Sequence, residues 1–200
     1  HAENSIVVAS GANMLLNEQD VDKVVEEMCE GDILLMQLEI PIQTVEYAAR
    51  RAFEKGVKVV LNPAPARSLP KELLRYLFMI TPNRIEAEML TGIKIVNDAD
   101  AERVAKEISA MGVQNIIVTL GSKGCLVREG DTSYCVDAFK VEPVDTTAAG
   151  DTFNGALCVG LAEGMNLRQA AVMASKASSV AVTRMGAQSS IPHRKELDLN

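Results

Sequence analysis

Histidine and paired cysteines are scarce in this sequence. Its 200 residues include two histidines, one at each end of the chain, and four cysteines that form no C-x-x-C pair. A Ser-His-Asp or Cys-His hydrolase therefore has few residues to use, and neither a zinc site nor a thioredoxin-like motif is indicated. We expect the cysteines to be small buried apolar residues, although Cys125 and Cys135 could instead face each other as a disulfide across a hairpin.

The sequence also has too little positive charge and too few long apolar runs for two kinds of partner. Lys and Arg number 20 against 27 Asp and Glu, a formal net charge of −7. Nucleic acids and anionic membranes attract clustered basic residues, so neither is expected as a partner. No run of 18 apolar residues is present, and the first residues lack the basic start of a secretory signal. We therefore expect a cytoplasmic chain.

What the sequence does have is a regular alternation of short apolar runs and helical patterns. Apolar runs occupy residues 33–38, 57–61, 79–81 and 116–119, and stretches with apolar residues at helical spacing separate them. Short strands that are apolar on both faces and alternate with helices predict a mostly parallel sheet with helices on both faces. The length predicts a single α/β domain over residues 1–200.

Other patterns complete the predicted fold. Residues 6–9 are strand-like, residues 125–128 and 132–136 predict an antiparallel hairpin, and two helices are predicted over 152–163 and 167–182. The last helix is rich in Ala and Ser. Small side chains allow close approach either to neighbouring helices or to a flat ligand, and the sequence leaves both explanations open.

The carboxyl ends of the predicted strands carry polar and glycine-rich loops. Ligands of open parallel sheets bind at this edge, so these loops are candidates for a binding site. In chain order they contain Glu39, Asn62-Pro63-Ala64-Pro65-Ala66, Pro82-Asn83-Arg84-Ile85-Glu86, Gly121-Ser122-Lys123-Gly124 and Asp145-Thr146-Thr147-Ala148-Ala149-Gly150-Asp151. Taken singly, the two-glycine loop is explained as a connecting turn, and Asn83 with Glu86 as a helix cap. Their coincidence at one edge favours a ligand site.

The loop before the first C-terminal helix is the most informative. Unpaired N–H groups at a helix N-terminus form an anion site with the helix dipole, and Gly150 lets a phosphate approach the backbone. Asp151 is either a functional carboxylate there or a first-turn acid that stabilises its helix. The glycine spacing of Gly150 and Gly155 resembles a P-loop, but Ala156-Leu157 stand where Lys-Ser/Thr is required. Dinucleotide-binding and protein-kinase signatures are also absent.

The segment Val144-Asp145-Thr146-Thr147-Ala148-Ala149-Gly150-Asp151-Thr152-Phe153-Asn154-Gly155-Ala156 resembles the signature of the phosphofructokinase B-type carbohydrate kinases. The loops above, with Met36-Gln37-Leu38-Glu39 and Thr183-Arg184-Met185-Gly186-Ala187-Gln188, follow the order found in the ribokinase branch of that family, over essentially the whole chain. The resemblance implies a ribokinase-like three-layer α/β sandwich. It also implies transfer of the γ-phosphoryl group of ATP to the 5-hydroxyl of D-ribose.

The resemblance assigns roles to single residues. Asp151 is expected to be the general base, with the N–H groups of Ala148, Ala149 and Gly150 as an anion hole, and Glu39 is expected to bind ribose hydroxyls. A carboxylate of ordinary pKa suffices, because phosphoryl transfer passes through a loose transition state. The implied nucleotide-binding positions are Asn83, Thr119, Gly121, Ser122, Gly124, Gly150, Asp151 and Ser175.

Two cations are implied as well. Asn83 and Glu86 form the N-x-x-E element that the family associates with Mg²⁺ and the phosphates. A monovalent cation, usually K⁺, is expected beside the anion hole. Its implied positions are Asp145, Thr147, Ala181, Arg184, Gly186 and Ser190. The sequence alone also explains Asp145 as a residue that ends a strand in a turn.

The chain departs from the family pattern at its N-terminus. Ribokinases carry there an early Asp and a Gly-Gly segment that hold ribose, and most of a small β-sheet lid. Residues 6–11 resemble the last lid strand, so residues 1–12 are expected to be a remnant of the lid and its return to the main sheet. We therefore expect a fragment of a longer protein, and expect these 200 residues alone to bind adenine nucleotide weakly and not to phosphorylate ribose at a useful rate. The resemblance implies that the full-length protein is a homodimer.

Two other functions fit the sequence. A kinase for fructose, 2-keto-3-deoxygluconate or a nucleoside is the near alternative, although Gln37-Leu38-Glu39 and Asn62-Pro63-Ala64-Pro65 favour ribose. A non-catalytic nucleotide-binding module that kept the fold is the more distant one. Asp151 with a complete anion-hole sequence argues against it.

Overall fold

The chain divides into two compact units. The computed structural model describes residues 10–197. In this range, the strand unit comprises residues 10–119 and Leu126–Tyr134, and the C-terminal unit comprises Leu120–Cys125 and residues 135–197. The expectation of one kinase domain over residues 1–200 stays a prediction.

Within residues 10–197, a six-stranded sheet has its strands in sequence order, from β1 to β6. The strands are β1 (Ile33–Met36), β2 (Lys58–Leu61), β3 (Met79–Ile80), β4 (Asn115–Thr119), β5 (Cys125–Glu129) and β6 (Thr132–Val136). β1 to β4 are parallel, and Met79 of β3 pairs with Val60 on one side and Asn115 on the other. β5 and β6 are neighbours joined by Gly130 and Asp131, a link that only antiparallel strands allow, so the sheet is mixed.

Seven α-helices accompany these strands within residues 10–197. The strand unit contains α1 (Glu18–Glu27), α2 (Ile42–Glu54), α3 (Lys71–Leu74), α4 (Arg84–Thr91) and α5 (Asp98–Ala110), and the C-terminal unit contains α6 (Ala149–Ala162) and α7 (Leu167–Ala181). An asparagine begins α1, α4, α5 and α7, and each forms a reciprocal capping box with the third helical residue. These caps satisfy N–H groups that a helix leaves unpaired, which is why the boundaries were predictable.

The core follows from the parallel pairing. Val59 and Val60 of β2 and Ile116–Val118 of β4 are fully buried. α2 packs against β2, and α5 packs against β4. β1 differs, because Leu35 is 37% exposed. This strand lies at one end of the strand order and has β2 as its single neighbour among the described residues. The expectation of burial on both faces is therefore right for β2 and β4 and wrong for β1.

Several predicted boundaries also need correction. β1 ends at Met36 because the chain then turns, and the Leu38 N–H donates to the Ala64 carbonyl at 2.7 Å. α6 begins three residues before the predicted start, which places Asp151 within its first turn. The short helix α3 was not predicted.

The predicted strand at residues 6–9 lies outside the described residues. Of the expected lid remnant, Ser10 has a helical backbone and Gly11–Leu15 form a 3₁₀ helix, so this end is not extended. No helix within residues 10–197 is long and apolar enough to cross a bilayer.

The cysteine expectation holds only in part. All four thiols are free, and Cys125 is buried, but Cys29 and Cys135 are exposed and Cys158 is half-buried. Burial raises the pKa of Cys125 to about 12 and that of Cys158 to about 11. These two thiols are therefore protonated and unreactive at neutral pH.

Small residues bring α6 and α7 close together. Ala170, Ala171, Ala174 and Ala177 of α7 are all buried. A Cβ built on Gly160 of α6 would lie 3.2 Å from the Cα of Ala170 and 3.1 Å from the Cε of Met173. Within this unit, tight helix packing therefore accounts for the small residues of α7.

We expect Gly160→Val to destabilise the protein by about 1–3 kcal/mol more than Gly155→Val, because it overpacks the contact between the two helices. Gly155 lies in the same helix, and a Cβ there meets no atom within 4 Å. Both changes alter helix propensity equally, so their difference isolates packing. Urea unfolding of the two variants measures it, and equal free energies of unfolding would contradict the close contact.

Candidate functional site

The loop that leads into α6 is held by one carboxylate in the C-terminal unit. Oδ1 of Asp145 accepts the Thr147 N–H at 2.9 Å, and Oδ2 accepts the Gly186 N–H at 3.0 Å. Hydrogen bonds from the Thr147 side chain, and then from these backbone groups, hold the pKa of Asp145 below its usual value. The N–H groups of Val144 and Asp145 also donate to the carbonyl of Val182. Asp145 therefore joins the loop before α6 to the loop after α7. The sequence explained it as a cation ligand or as a residue that ends a strand, and neither explanation includes this link.

The residue before α6 has an unusual backbone conformation. Ala148 has φ 58° and ψ 16°, the left-handed region, and it is the only non-glycine residue with positive φ among residues 10–197. Such a conformation costs about 1–3 kcal/mol in a residue with a Cβ. The N–H groups of Ala148 and Gly150 donate to no backbone carbonyl in the described part of the chain. The turn thus presents N–H groups at a helix start, the arrangement that binds anions.

Open space surrounds the glycine of this turn. A Cβ built on Gly150 meets no atom within 4 Å, so packing does not require a glycine there. Asp151 is the next residue, exposed in the first turn of α6. The residues of the predicted anion hole and the predicted base therefore lie in one turn, although the Ala149 N–H already donates to the Thr146 carbonyl at 3.3 Å.

Two side chains that sequence reasoning missed hold the first turn of α6. Nδ2 of Asn154 donates to the Gly150 carbonyl at 2.9 Å, and Oγ of Ser178 on α7 donates to the Ala149 carbonyl at 3.0 Å. Fixing these carbonyls fixes the direction of the N–H groups in the same peptide planes. Asn154 is buried within the family signature, which could have drawn attention to it. Ser178 gave no signal beyond the small-residue pattern of its helix.

The predicted monovalent-cation positions lie on the loops that Asp145 joins. Gly186 donates directly to Asp145, while the Ala181 carbonyl accepts the Arg184 N–H at 3.0 Å. Ser190 is fully buried, and its Oγ donates to the Ala187 carbonyl at 2.7 Å. No group of three His, Cys, Asp or Glu side chains converges within residues 10–197. The oxygens available at these positions are one carboxylate, hydroxyls and backbone carbonyls.

The two-glycine loop has a structural requirement of its own. Gly121–Lys123 form a 3₁₀ turn, and the Leu120 N–H donates to the Gly124 carbonyl at 2.8 Å. A Cβ on Gly124 would lie 2.0 Å from the Val136 carbonyl oxygen, whereas one on Gly121 would meet nothing within 4 Å. Gly124 is therefore demanded by packing. Gly121 and Ser122 are exposed and remain candidate nucleotide contacts.

Ser175, a predicted nucleotide contact, has a structural bond. It is 6% exposed, and its Oγ donates to the Asp137 carbonyl at 3.1 Å. The bond joins α7 to the segment after β6 in the same unit. The Ser175 hydroxyl could bind a nucleotide in two ways. It could accept a hydrogen bond while it still donates to Asp137, or it could donate to the nucleotide after breaking the bond to Asp137.

In the strand unit, three predicted nucleotide-side residues converge at the ends of β3 and β4. Asn83 and Glu86 form a capping box: Asn83 Oδ1 accepts the Glu86 N–H, and the Asn83 N–H and Nδ2 each donate to a Glu86 carboxylate oxygen at 2.8 Å. Thr119 pairs with Asn83, and its N–H donates to the Pro82 carbonyl at 2.9 Å. The capping box shows that Asn83 and Glu86 do cap a helix, as one explanation of them from the sequence proposed.

The electrostatics of Glu86 are those of a buried acid. Its side chain is 4% exposed, and burial raises its pKa, which the Asn83 backbone hydrogen bond partly offsets. Burial removes water from the Glu86 carboxylate and makes its ionised form costly. A cation bound nearby would stabilise that ionised form.

Glu39 lies next to a hydrogen-bonded network of Gln37 and Asn62, which belong to the two segments whose sequences favour ribose. Glu39 itself is exposed, two residues after Gln37. Nε2 of Gln37 donates to Oδ1 of Asn62 at 3.3 Å, and Nδ2 of Asn62 donates to the Thr81 carbonyl at 3.0 Å. Asn62 is only 8% exposed. One buried amide thus links the carboxyl ends of β1, β2 and β3, where Glu39 and Asn83 follow.

Comparisons with known proteins bear on the family and the fold of the chain. Residues 1–194 match the family described as pfkB family carbohydrate kinase. Over 98% of the chain, the sequence is 46% identical to a ribokinase of Haemophilus influenzae, of which it covers 64%. The chain therefore spans less than two thirds of the length of that relative.

Solved structures show the same likeness. A ribokinase of Thermotoga maritima is 39% identical with a TM-score of 0.86, over 98% of this chain and 64% of that one. A ribokinase of Arabidopsis thaliana complexed with ribose and ATP is 30% identical with a TM-score of 0.88, over the same shares. These matches confirm the predicted ribokinase-like α/β fold.

We expect Asn62→Leu to lower the free energy of unfolding by about 1–3 kcal/mol, because a leucine of similar size removes both hydrogen bonds and leaves buried polar groups without partners. Gln43→Leu is the matched control, since Gln43 is an exposed amide on α2, and changes at such sites stay within about 0.5 kcal/mol. Equilibrium urea unfolding compares the two. If Asn62→Leu is no more destabilising than the control, the network does not hold the strand ends.

Proposed function

Because the chain belongs to the pfkB family of carbohydrate kinases, we propose that it forms the main part of an enzyme that phosphorylates the 5-hydroxyl of D-ribose with ATP. The observation that carries the proposal is the turn at Ala148, where the N–H groups of Ala148 and Gly150 donate to no backbone carbonyl within residues 10–197 and the exposed Asp151 follows in the first turn of α6. The choice of ribose rests on the identity to ribokinases and on the relative that binds ribose and ATP.

The chemistry requires little beyond this turn. The sugar hydroxyl oxygen forms a bond to the γ-phosphorus, the bond from that phosphorus to the bridging oxygen of ADP breaks, and the hydroxyl proton passes to Asp151. Charge spread over the phosphoryl oxygens is stabilised by the N–H groups of Ala148, Ala149 and Gly150. Because Asn154, Ser178 and Asp145 already fix the turn, the N–H groups of Ala148 and Gly150 would be held in place before substrate binds. The Ala149 N–H would have to exchange its bond to the Thr146 carbonyl for one to the phosphoryl group.

On the nucleotide side, we assign contacts to Asn83, Thr119, Gly121, Ser122 and Ser175. Glu86 fits a role with Mg²⁺, a hard cation that prefers carboxylate oxygens and keeps several of its waters. Both Glu86 oxygens accept hydrogen bonds from Asn83, so Glu86 would act on those waters and preserve its capping box. The ion would supply positive charge that neutralises the phosphates.

The monovalent cation is proposed for the loops that Asp145 joins. Carboxylate, hydroxyl and carbonyl oxygens suit a hard, singly charged ion such as K⁺. Thr147, Ala181, Arg184, Gly186 and Ser190 would supply the remaining oxygens. Bound there, the ion would stiffen the loop that ends at the anion site.

Glu39 is the proposed sugar ligand of the strand unit. It is exposed beside the braced end of β1, where an ionised acceptor can bind hydroxyl groups. We also propose that the full-length protein is a homodimer. Competition between ribose and fructose, 2-keto-3-deoxygluconate or a nucleoside tests the choice of sugar.

In the full-length protein, we expect Asp151→Asn to lower kcat by about 10² to 10⁴ with little change in the KM for ATP, because the amide keeps the shape and loses the proton acceptor. Asp98→Asn is the matched control, since Asp98 is also a first-turn helix acid but lies on α5. Steady-state kinetics decide the matter. A kcat near that of the control would leave Asp151 as a helix-stabilising acid only.

We expect K⁺ to raise kcat relative to tetramethylammonium, and Asp145→Ala to remove most of that response. The reason is local, because the cation would hold the loop that carries the anion site. Asp145→Asn is a second variant that keeps one hydrogen-bond acceptor and loses the charge. Equal activity of the unmodified protein in K⁺, Na⁺ and tetramethylammonium would show that the cation assignment is wrong.

A further inference from the structure

A cavity lies at the amino-terminal ends of the parallel strands. It has a volume of about 360 Å³, within the range of small-molecule sites, and lies entirely in the strand unit. Lys58 and Asn115, which line it, are the first residues of β2 and β4, and Phe78 directly precedes β3. Asn83 and Thr119, the proposed nucleotide contacts of the strand unit, lie at the carboxyl ends of β3 and β4, so the proposed kinase chemistry does not use this cavity.

The charge of the cavity is opposite to that of the chain. Lys58 and Arg75 are the charged side chains among its lining residues, and no carboxylate lines it, although the chain carries a net charge of −7. Nη1 of Arg75 bonds Glu72 at 3.0 Å in an exposed pair, which contributes little to stability. The remaining guanidinium nitrogens have no acceptor within residues 10–197. An anion can therefore bind here with charge-assisted hydrogen bonds.

Aromatic rings form part of the wall. Phe53 and Tyr76 pack with their ring centroids 5.6 Å apart and their planes at 54°. Phe53 is nevertheless 54% exposed, so part of its ring is open to a ligand. Nζ of Lys58 lies 5.5 Å from the centroid of Phe78. The cation and the rings thus lie together, which suits a ligand with both negative charge and a flat apolar body.

Two amides add hydrogen-bonding capacity. Nδ2 of Asn115 donates to the Phe78 carbonyl at 2.9 Å, which fixes the amide and leaves Oδ1 as an acceptor. Gln114 is exposed, and its side chain has no hydrogen-bond partner among the described residues. The cavity thus offers an acceptor on Asn115 and the amide of Gln114 beside its two cations. A small number of polar groups like these orients the ligand in most preformed pockets.

We propose that this cavity binds a small anion that carries an aromatic or heteroaromatic ring. Lys58 and Arg75 would bind the anionic group, and the ring would pack against Phe53 and Tyr76. Two kinds of molecule share this chemistry, an aryl carboxylate and a nucleoside monophosphate. Binding here would be independent of ATP, because within the strand unit the cavity and the proposed nucleotide contacts Asn83 and Thr119 lie at opposite ends of the strands.

A titration followed by ¹H–¹⁵N NMR tests the proposal, with 2-naphthoate as the probe and ATP present at saturation. We expect saturable shifts confined to residues 53–58, 75–78 and 112–115, with a Kd of about 0.1–1 mM, as the size of the probe allows. The neutral 2-naphthamide and the non-aromatic cyclohexanecarboxylate should each bind at least about 5-fold more weakly. AMP, titrated under the same conditions, distinguishes a nucleoside monophosphate from an aryl carboxylate as the preferred class.

Substitutions of the charged and aromatic residues of the cavity provide the decisive comparison. Lys58→Gln and Arg75→Gln should each weaken naphthoate binding about 5-fold or more, and Phe53→Ala should do the same through loss of the ring contact. Arg103→Gln is the matched control, because Arg103 is an exposed, ion-paired arginine outside the cavity. Absence of saturable shifts in the three segments, equal affinity for naphthamide, or an affinity that the first two variants leave unchanged would each overturn the proposal.

Discussion

Both carboxylate oxygens of Asp145 accept backbone N–H groups, one from Thr147 and one from Gly186, and the proposed chemistry depends on this clamp. The loop that it holds ends in a left-handed alanine, a conformation that local interactions alone do not favour. The strain is tolerated because the loop is fixed at Asp145 before the turn and at Asn154 and Ser178 after it. Since the pKa of Asp145 is lowered, the clamp persists at neutral pH and weakens only as acid protonates the carboxylate.

Structural and ligand-binding explanations of a residue are not exclusive in this fold. Asn83 and Glu86 cap α4 and yet lie at the strand ends where a nucleotide is proposed to bind. Capping fixes both side chains in one rotamer, so a ligand that used them would bind groups already ordered. The same holds for Asp145, which would present a cation with oxygens that the backbone already orients.

The sequence predicted most of the fold because its local signals agree with one another. Asn17, Asn83, Asn97 and Asn166 each begin a helix that the apolar spacing also indicates, and the apolar runs of β2 and β4 are buried on both faces. The errors occurred where the outcome depends on distant parts of the chain. Leu35 is exposed because β1 has one described neighbour, and no pattern within β1 contains that information.

For the site, the sequence predicted which loops carry polar residues, and the family resemblance supplied their roles. It did not reveal how Ser178 and Asn62 brace the site, because each donates a hydrogen bond to a carbonyl far away in the chain, of Ala149 and Thr81 respectively. Such bonds leave no periodicity and no short motif. The conformation of Ala148 was equally hidden, since alanine is not a residue type that favours positive φ.

The two glycines at 124 and 150 carry different information for anyone who compares this protein with distant relatives. A side chain at position 124 would overlap the carbonyl oxygen of Val136, so a relative needs glycine there to form the turn, whether or not it binds a nucleotide. At position 150 the protein itself leaves room for a side chain. A relative that keeps Gly124 but has lost Gly150 would thus have retained the architecture after selection for an anion ceased, and position 150 is the better marker of an active family member.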